Sequence, residues 1–109
     1  MTRRVFLAAA VAAGLTSVAL PSFAQKGYPQ KSIRMVVPYP AGGGADGLAR
    51  MIGTKMSERL GQPIIIDNKP GANTILASSE VARAAADGYT LLYIASSFTI
   101  NPSLYKVPY

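Results

Sequence analysis

The chain has 109 residues, a formal net charge of +6, no cysteine, no histidine and no tryptophan. The lack of histidine removes the commonest general base and metal ligand, so Ser-His-Asp catalysis and ordinary zinc sites are excluded, and the lack of cysteine leaves any core without disulfide support. The basic excess is dispersed and no basic run interleaves with aromatic rings, which argues against nucleic acid as a partner and suits an anionic ligand in sign only.

Residues 1–24 read as an export signal. Arg3 and Arg4 form a positive n-region, Val5 to Leu20 is apolar but shorter than the roughly 20 strongly apolar residues of a membrane span, and Ser22-Phe23-Ala24 supplies a small-residue cleavage site after Pro21. Thr2 to Leu7 (TRRVFL) fits the twin-arginine pattern and an ordinary Sec n-region alike, and both routes stay open. Cleavage after Ala24 leaves residues 25–109, not membrane-spanning, with nine basic and five acidic side chains and a net charge of +4. A chain of that size holds a modest core.

Residues 25–32 are polar and irregular. Ile33 to Val37 (IRMVV) is short, apolar and β-branched, which predicts a strand. The loop PYPAGGG follows. From residue 45 to about 60, Leu48, Met51, Ile52, Met56 and Leu60 recur at helical spacing and predict an apolar stripe, with Gly61 as the stop. Pro63 to Asp67 (PIIID) predicts a second strand and Asn68 to Asn73 a loop. Thr74 to about Ala85 predicts a second helix capped by Asn73 or Thr74. Ala86 to Gly88 is a turn, Tyr89 to Ala95 a third strand, and Ser96 to Tyr105 a loop containing a helical turn.

The order β-α-β-α-β predicts an α/β fold with a parallel sheet and right-handed crossovers. Ligands of such sheets sit beyond the carboxyl ends of the strands. The loops at 38–45, 68–73 and 95–101 leave those ends and form one binding edge.

Gly42-x-Gly44-x-x-Gly47 matches the dinucleotide fingerprint, with Asp67 at the distance of its ribose acid, so an exported NAD-binding oxidoreductase domain is the alternative reading. Spacing opposes it. Pro38, Tyr39, Pro40 and Ala41 separate the strand from the first glycine, and two prolines remove N–H donors where a phosphate loop needs them. A P-loop fails because no Lys-Ser or Lys-Thr follows the glycines. What remains is an anion cradle, in which Gly42, Gly43 and Gly44 present bare amides at a helix start. Asp46 either contacts the ligand or compensates the helix dipole, and Tyr39 either covers the ligand or packs on the rim.

Four stretches, YPQKSIRMVVPYPAGGGADGLAR, LGQPIIIDNKPGAN, AAADGYTLLY and NPSLYK, together resemble the solute-binding receptors of tripartite tricarboxylate transporters, the Bug-type proteins. The resemblance spans Tyr28 to Tyr109. It implies the type II periplasmic-binding-protein-like fold, here an incomplete first lobe over residues 25–109. It also implies a periplasmic receptor that binds small carboxylates between two lobes, passes them to membrane permease subunits, catalyses nothing, and needs no cofactor or metal. The implied ligand loops are Tyr39, Pro40, Ala41, Gly42, Gly43 and Gly44 with Asp46, the turn ending at Asn73, and Ser96, Ser97 and Phe98. Two departures are Ala77, where relatives often have glycine, and Phe98, which reshapes the pocket. Relatives are several times longer, so the chain is expected to be the N-terminal part of a receptor, with unpaired sheet edges and little ligand affinity of its own.

Overall fold

A computed structural model describes residues 27–109, and the export signal read in residues 1–24 lies outside them. In chain order the elements are β1 (Ile33–Val37), α1 (Gly44–Leu60), β2 (Ile64–Asn68), a 3₁₀ turn (Ala72–Thr74), α2 (Ile75–Arg83), β3 (Thr90–Leu92) and α3 (Ser97–Leu104). The strands form one sheet in the order β2-β1-β3, with both pairings parallel, as the alternation of strands and helices predicts. The central strand carries the most continuous apolar run, because both of its faces are covered: Ile33, Met35, Val36 and Val37 are all buried.

Helices α1 and α2 lie on opposite faces of the sheet. Met35 and Val37 of β1 pack with Ala49 of α1, and Met56, Ile64, Ile66, Leu91, Tyr93 and Tyr39 close around them. The other face carries Arg34, which donates to Asp67 of β2 and Glu80 of α2. Glu80 also pairs with Lys69 at 2.9 Å. The paired guanidinium holds the Glu80 carboxyl below its ordinary range, with Lys69 adding to the effect.

Only part of the apolar stripe predicted on α1 faces the core: Met56 packs against it and Leu60 is half-buried, but the N-terminal half of the stripe points away. Leu48, Met51 and Ile52 are exposed, while Asp46, Ala49 and Gly53 are buried. The reason is distance. A Cβ on Gly53 would stand 3.2 Å from Ile66 Cδ1 and 3.3 Å from Ile64 Cγ2, so the helix lies against branched strand side chains with its smallest residues inward. Gly61 ends α1 as predicted: its φ of 70° is left-handed and its N–H donates to Ser57 O at 2.9 Å.

Three other boundaries shift. β2 begins at Ile64 and runs on to Asn68, and the regular part of β3 is only Thr90–Leu92. Single bonds extend the β3 contact, from Arg34 N to Tyr89 O and from Tyr93 N to Val36 O. Ser97–Leu104 forms a full helix rather than one turn, running through Pro102. Its start is fastened because Ser96 O accepts from the amides of Thr99 and Ile100 and from Thr99 Oγ1. The entry segment is also anchored: Gln30 N donates to Tyr89 Oη, and the Tyr28 ring meets that of Tyr89 edge-on at 5.1 Å.

Candidate functional site

All three strands run parallel, so the loops after β1, β2 and β3 leave the same end of the sheet. The first loop ends in a helix start with no side-chain cap. Gly43, the N-cap residue, is extended at φ −77° and ψ 171° and has no side chain to offer. The first amide of α1 with an intrahelical partner is Gly47 N, which donates to Gly43 O at 3.0 Å. Of the three glycines expected to present bare amides only Gly44 does, because Gly42 N donates to Asp46 Oδ2 and Gly43 N to Pro40 O at 3.4 Å; among the described residues, the amides of Gly44, Ala45 and Asp46 have no acceptor. Residues 40–44 are exposed, Ala45 is half-buried and Asp46 is buried, so these donors run inward from the surface at Gly44, with the positive end of the helix dipole behind them.

Asp46 fixes this loop from beneath. Its carboxylate is buried; Oδ2 accepts from Gly42 N and from Arg50 Nε, both at 2.9 Å, and Oδ1 accepts from Asn68 Nδ2 at 2.9 Å. Asn68 Nδ2 also donates to Tyr39 O, and Asn68 Oδ1 accepts from Arg50 Nη2 at 3.3 Å. The Arg50 hydrogen bond, then the Gly42 amide and the Asn68 amide, hold the Asp46 pKa at about 2, against the opposing effect of burial. Both carboxylate oxygens are therefore spent on the protein's own donors. Gly42 takes φ 86° to bring its N–H onto Asp46, a conformation that suits glycine. Tyr39 packs its ring on the core, and its Oη accepts from Ala95 N at 3.1 Å, tying the first loop to the third.

The second loop departs from the predicted capping. Ala72, Asn73 and Thr74 have φ of 46°, 48° and 72°, three successive non-glycine residues in the left-handed region. Each such residue costs on the order of 1–3 kcal/mol. A capping side chain needs an extended backbone, so neither Asn73 nor Thr74 caps α2. Instead Asn73 Nδ2 donates to Asn101 Oδ1 at 2.8 Å, and Thr74 Oγ1 donates to Ser97 Oγ at 3.1 Å. Asn101, fully buried on α3, returns a bond from Nδ2 to Asn73 O at 2.7 Å.

The predicted site residues thus divide in space. Tyr39 to Gly44 form the exposed glycine loop, while Asn73 and Ser97 belong to the joint between the second and third loops. Ser96 is exposed at the start of α3. Phe98 stacks on Tyr109 with ring centroids 5.0 Å apart. Two open grooves of about 520 and 740 Å³ run along the flanks of α1 and α2, and neither is lined by the glycine loop. Sequence reasoning passed over Arg50, Asn68 and Asn101. Arg50 carried a signal, its i,i+4 spacing from Asp46; Asn101 carried none beyond its place in NPSLYK.

The NAD alternative loses its supports. An added Cβ on Gly47 would meet nothing within 4 Å, so it is not the close helix–strand contact that the fingerprint's third glycine makes, and Asp67 accepts from Arg34 on the sheet face opposite α1.

Comparison with known proteins follows the same line. The model of the tripartite tricarboxylate transporter family receptor matches residues 48–109. Protein BugT of Bordetella pertussis is 40% identical over 81 residues, which is 74% of this chain and 25% of BugT. The structure of periplasmic binding protein BugD matches with a TM-score of 0.70 at 42% identity, over 72% of this chain and 26% of BugD. MatC from Rhodopseudomonas palustris with bound malate matches with a TM-score of 0.58 at 46% identity, over 60% of this chain and 22% of MatC. The chain spans about a quarter to a third of the length of the curated relatives it matches. With the family model covering more than half of its residues and the fold shared with solved relatives, the chain belongs to the tripartite tricarboxylate transporter receptor family.

Proposed function

We propose that this chain forms one wall of a periplasmic carboxylate receptor that supplies a tripartite tricarboxylate-type transporter. The observation that carries the proposal is the uncapped start of α1, exposed at Gly44, where three successive amides lack an acceptor at the positive end of a helix. Such donors suit a small anion, a carboxylate among them. Solved relatives hold malate and adipate, which fits this chemistry. In this reading the amides of Gly44 and Ala45 meet the ligand beside the bare Gly43 backbone, the Asp46 carboxylate sets their geometry, and Ser96 and Asn73 border the same edge. The chain binds and releases; no bond is made or broken. The permease subunits are the receiving partners. Among the described residues no helix is long and apolar enough to cross a membrane.

Gly43→Leu is the direct test. The backbone at 43 is in an ordinary region, and an added Cβ would meet only Pro40 O at 3.5 Å, so the fold accepts a side chain there. In an amide-resolved NMR titration carried to millimolar ligand, where the weak binding expected of one lobe still registers, malate, adipate and citrate are expected to shift Gly44, Ala45 and Asp46, while NAD shifts nothing. Gly43→Leu removes the carboxylate shifts and leaves the thermal transition in place. Carboxylates that leave these three amides unmoved in the parent chain would defeat the proposal.

A further inference from the structure

Asn101 is the most completely buried large polar side chain of the described residues, and it does not touch the glycine loop. Its amide is used at both ends. Nδ2 donates to Asn73 O at 2.7 Å and reaches Thr74 Oγ1 at 3.4 Å, and Oδ1 accepts from Asn73 Nδ2 at 2.8 Å. Its partners are two of the three residues held at left-handed φ. Such a run does not persist without outside support, because an ordinary residue relaxes to negative φ when released. The local support is two backbone bonds within the turn, from Thr74 N to Gly71 O at 3.0 Å and from Ile75 N to Ala72 O. The buried Asn101 amide is the long-range support, and it comes from α3, which also supplies Ser97 to the Thr74 hydroxyl.

We infer that Asn101 is a positioning residue of the carboxylate wall: its buried amide holds residues 72–74 in the left-handed turn that seats the second loop, and the start of α2, against the third loop. This rests on the carboxylate reading of the edge, but the clamp itself is defined by conformation and is measured independently of any ligand. The glycine loop is outside its reach, being held by Asp46, Arg50 and Asn68.

The experiment is NMR on the full chain, with malate as the probe. A left-handed residue brings its own HN and Hα close together, so Ala72, Asn73 and Thr74 are expected to give strong intraresidue HN–Hα cross-peaks in the parent chain. Asn101→Ala is expected to abolish them at Asn73 and Thr74. Adding Asn73→Gly, which takes positive φ without a penalty, restores the left-handed turn. Malate-induced shifts at Ser96 and Ser97 are lost in Asn101→Ala and recovered in the double variant, whereas those at Gly44 and Ala45 are kept throughout. General loss of structure would remove all of them together. If Asn101→Ala does not fold, Asn101→Asp keeps the volume and the acceptor but deletes both Nδ2 bonds, and it is read in the same way. Left-handed cross-peaks that survive both variants, or that are missing from the parent chain, overturn the inference. Malate that shifts no amide in the parent chain overturns the carboxylate reading, and the cross-peaks then decide the clamp alone.

Discussion

Asp46 shows how one buried carboxylate shapes an exposed surface. It lies under the glycine loop, and its three partners come from the loop, from its own helix and from β2. The charged form accepts all three hydrogen bonds, so the folded state depresses its pKa from 3.8 to about 2. A depressed acid contributes stability that is fully present above its unfolded value and lost as pH falls through its folded one. The loop is therefore expected to stay latched down to about pH 2, with the Gly42 amide and the Asn68 side-chain resonances titrating near that value. Arg50→Gln removes the largest cause of the depression and moves the midpoint upward. A midpoint near 3.8 in the parent chain would mean that the latch does not form. Half of this was legible in the sequence: Asp46 and Arg50 stand four apart on a predicted helix, a spacing that pairs opposite charges. Asn68 and Asn101 were not legible, because their partners lie 22 and 28 residues away and become neighbours only when strands and helices pack.

Helix α1 illustrates a different failure of pattern reading. Its position, its start after the glycines and its stop at Gly61 all follow from local chemistry. Its orientation does not. Hydrophobic periodicity selects Leu48, Met51 and Ile52, yet close approach to a sheet of isoleucines favours Ala49 and Gly53, which weigh little on any hydropathy count. The outcome is measurable. Gly53→Leu is expected to destabilise the chain by about 1–3 kcal/mol through overpacking against Ile64 and Ile66. Met51→Ser on the exposed face is expected to change stability by less than about 0.5 kcal/mol. Chemical denaturation of both variants checks the pair, and the reverse ranking would restore the apolar stripe to the core. Helix α3 was underestimated for a related reason: Pro102 reads as a breaker, while the bonds to Ser96 O and the burial of Asn101 lie in no local pattern.

For the whole molecule, the strand order and the parallel pairing were legible because alternating elements leave few other topologies. The state of its surface was less so. Leu48, Met51 and Ile52 on α1, Ile65 on an edge strand, and Ile100, Leu104 and Tyr105 on and after α3 are all exposed. Among the described residues, β2 and β3 each pair on one side only. Apolar patches and open strand edges promote association. The chain is therefore expected to self-associate as its concentration rises, and Met51→Lys with Ile52→Lys to reduce this. Sedimentation velocity over a concentration series reports it; a strictly monomeric parent chain would show these surfaces to be harmless.

The hydrogen bonds around Tyr39 carry a thermodynamic consequence. Its carbonyl accepts from Asn68 and its hydroxyl from the amide of Ala95, so one residue of the first loop touches the end of β2, where the second loop begins, and the loop after β3. Thr74 and Asn73 join those two loops to each other through Ser97 and Asn101. The three segments make a closed belt that is ordered before anything arrives. A ligand settling on the belt orders little that is not already fixed, so less of its contact energy is consumed in restricting the chain. Cutting the belt at Tyr39, as in Tyr39→Phe, leaves each segment in place but returns that entropic cost to the binding step.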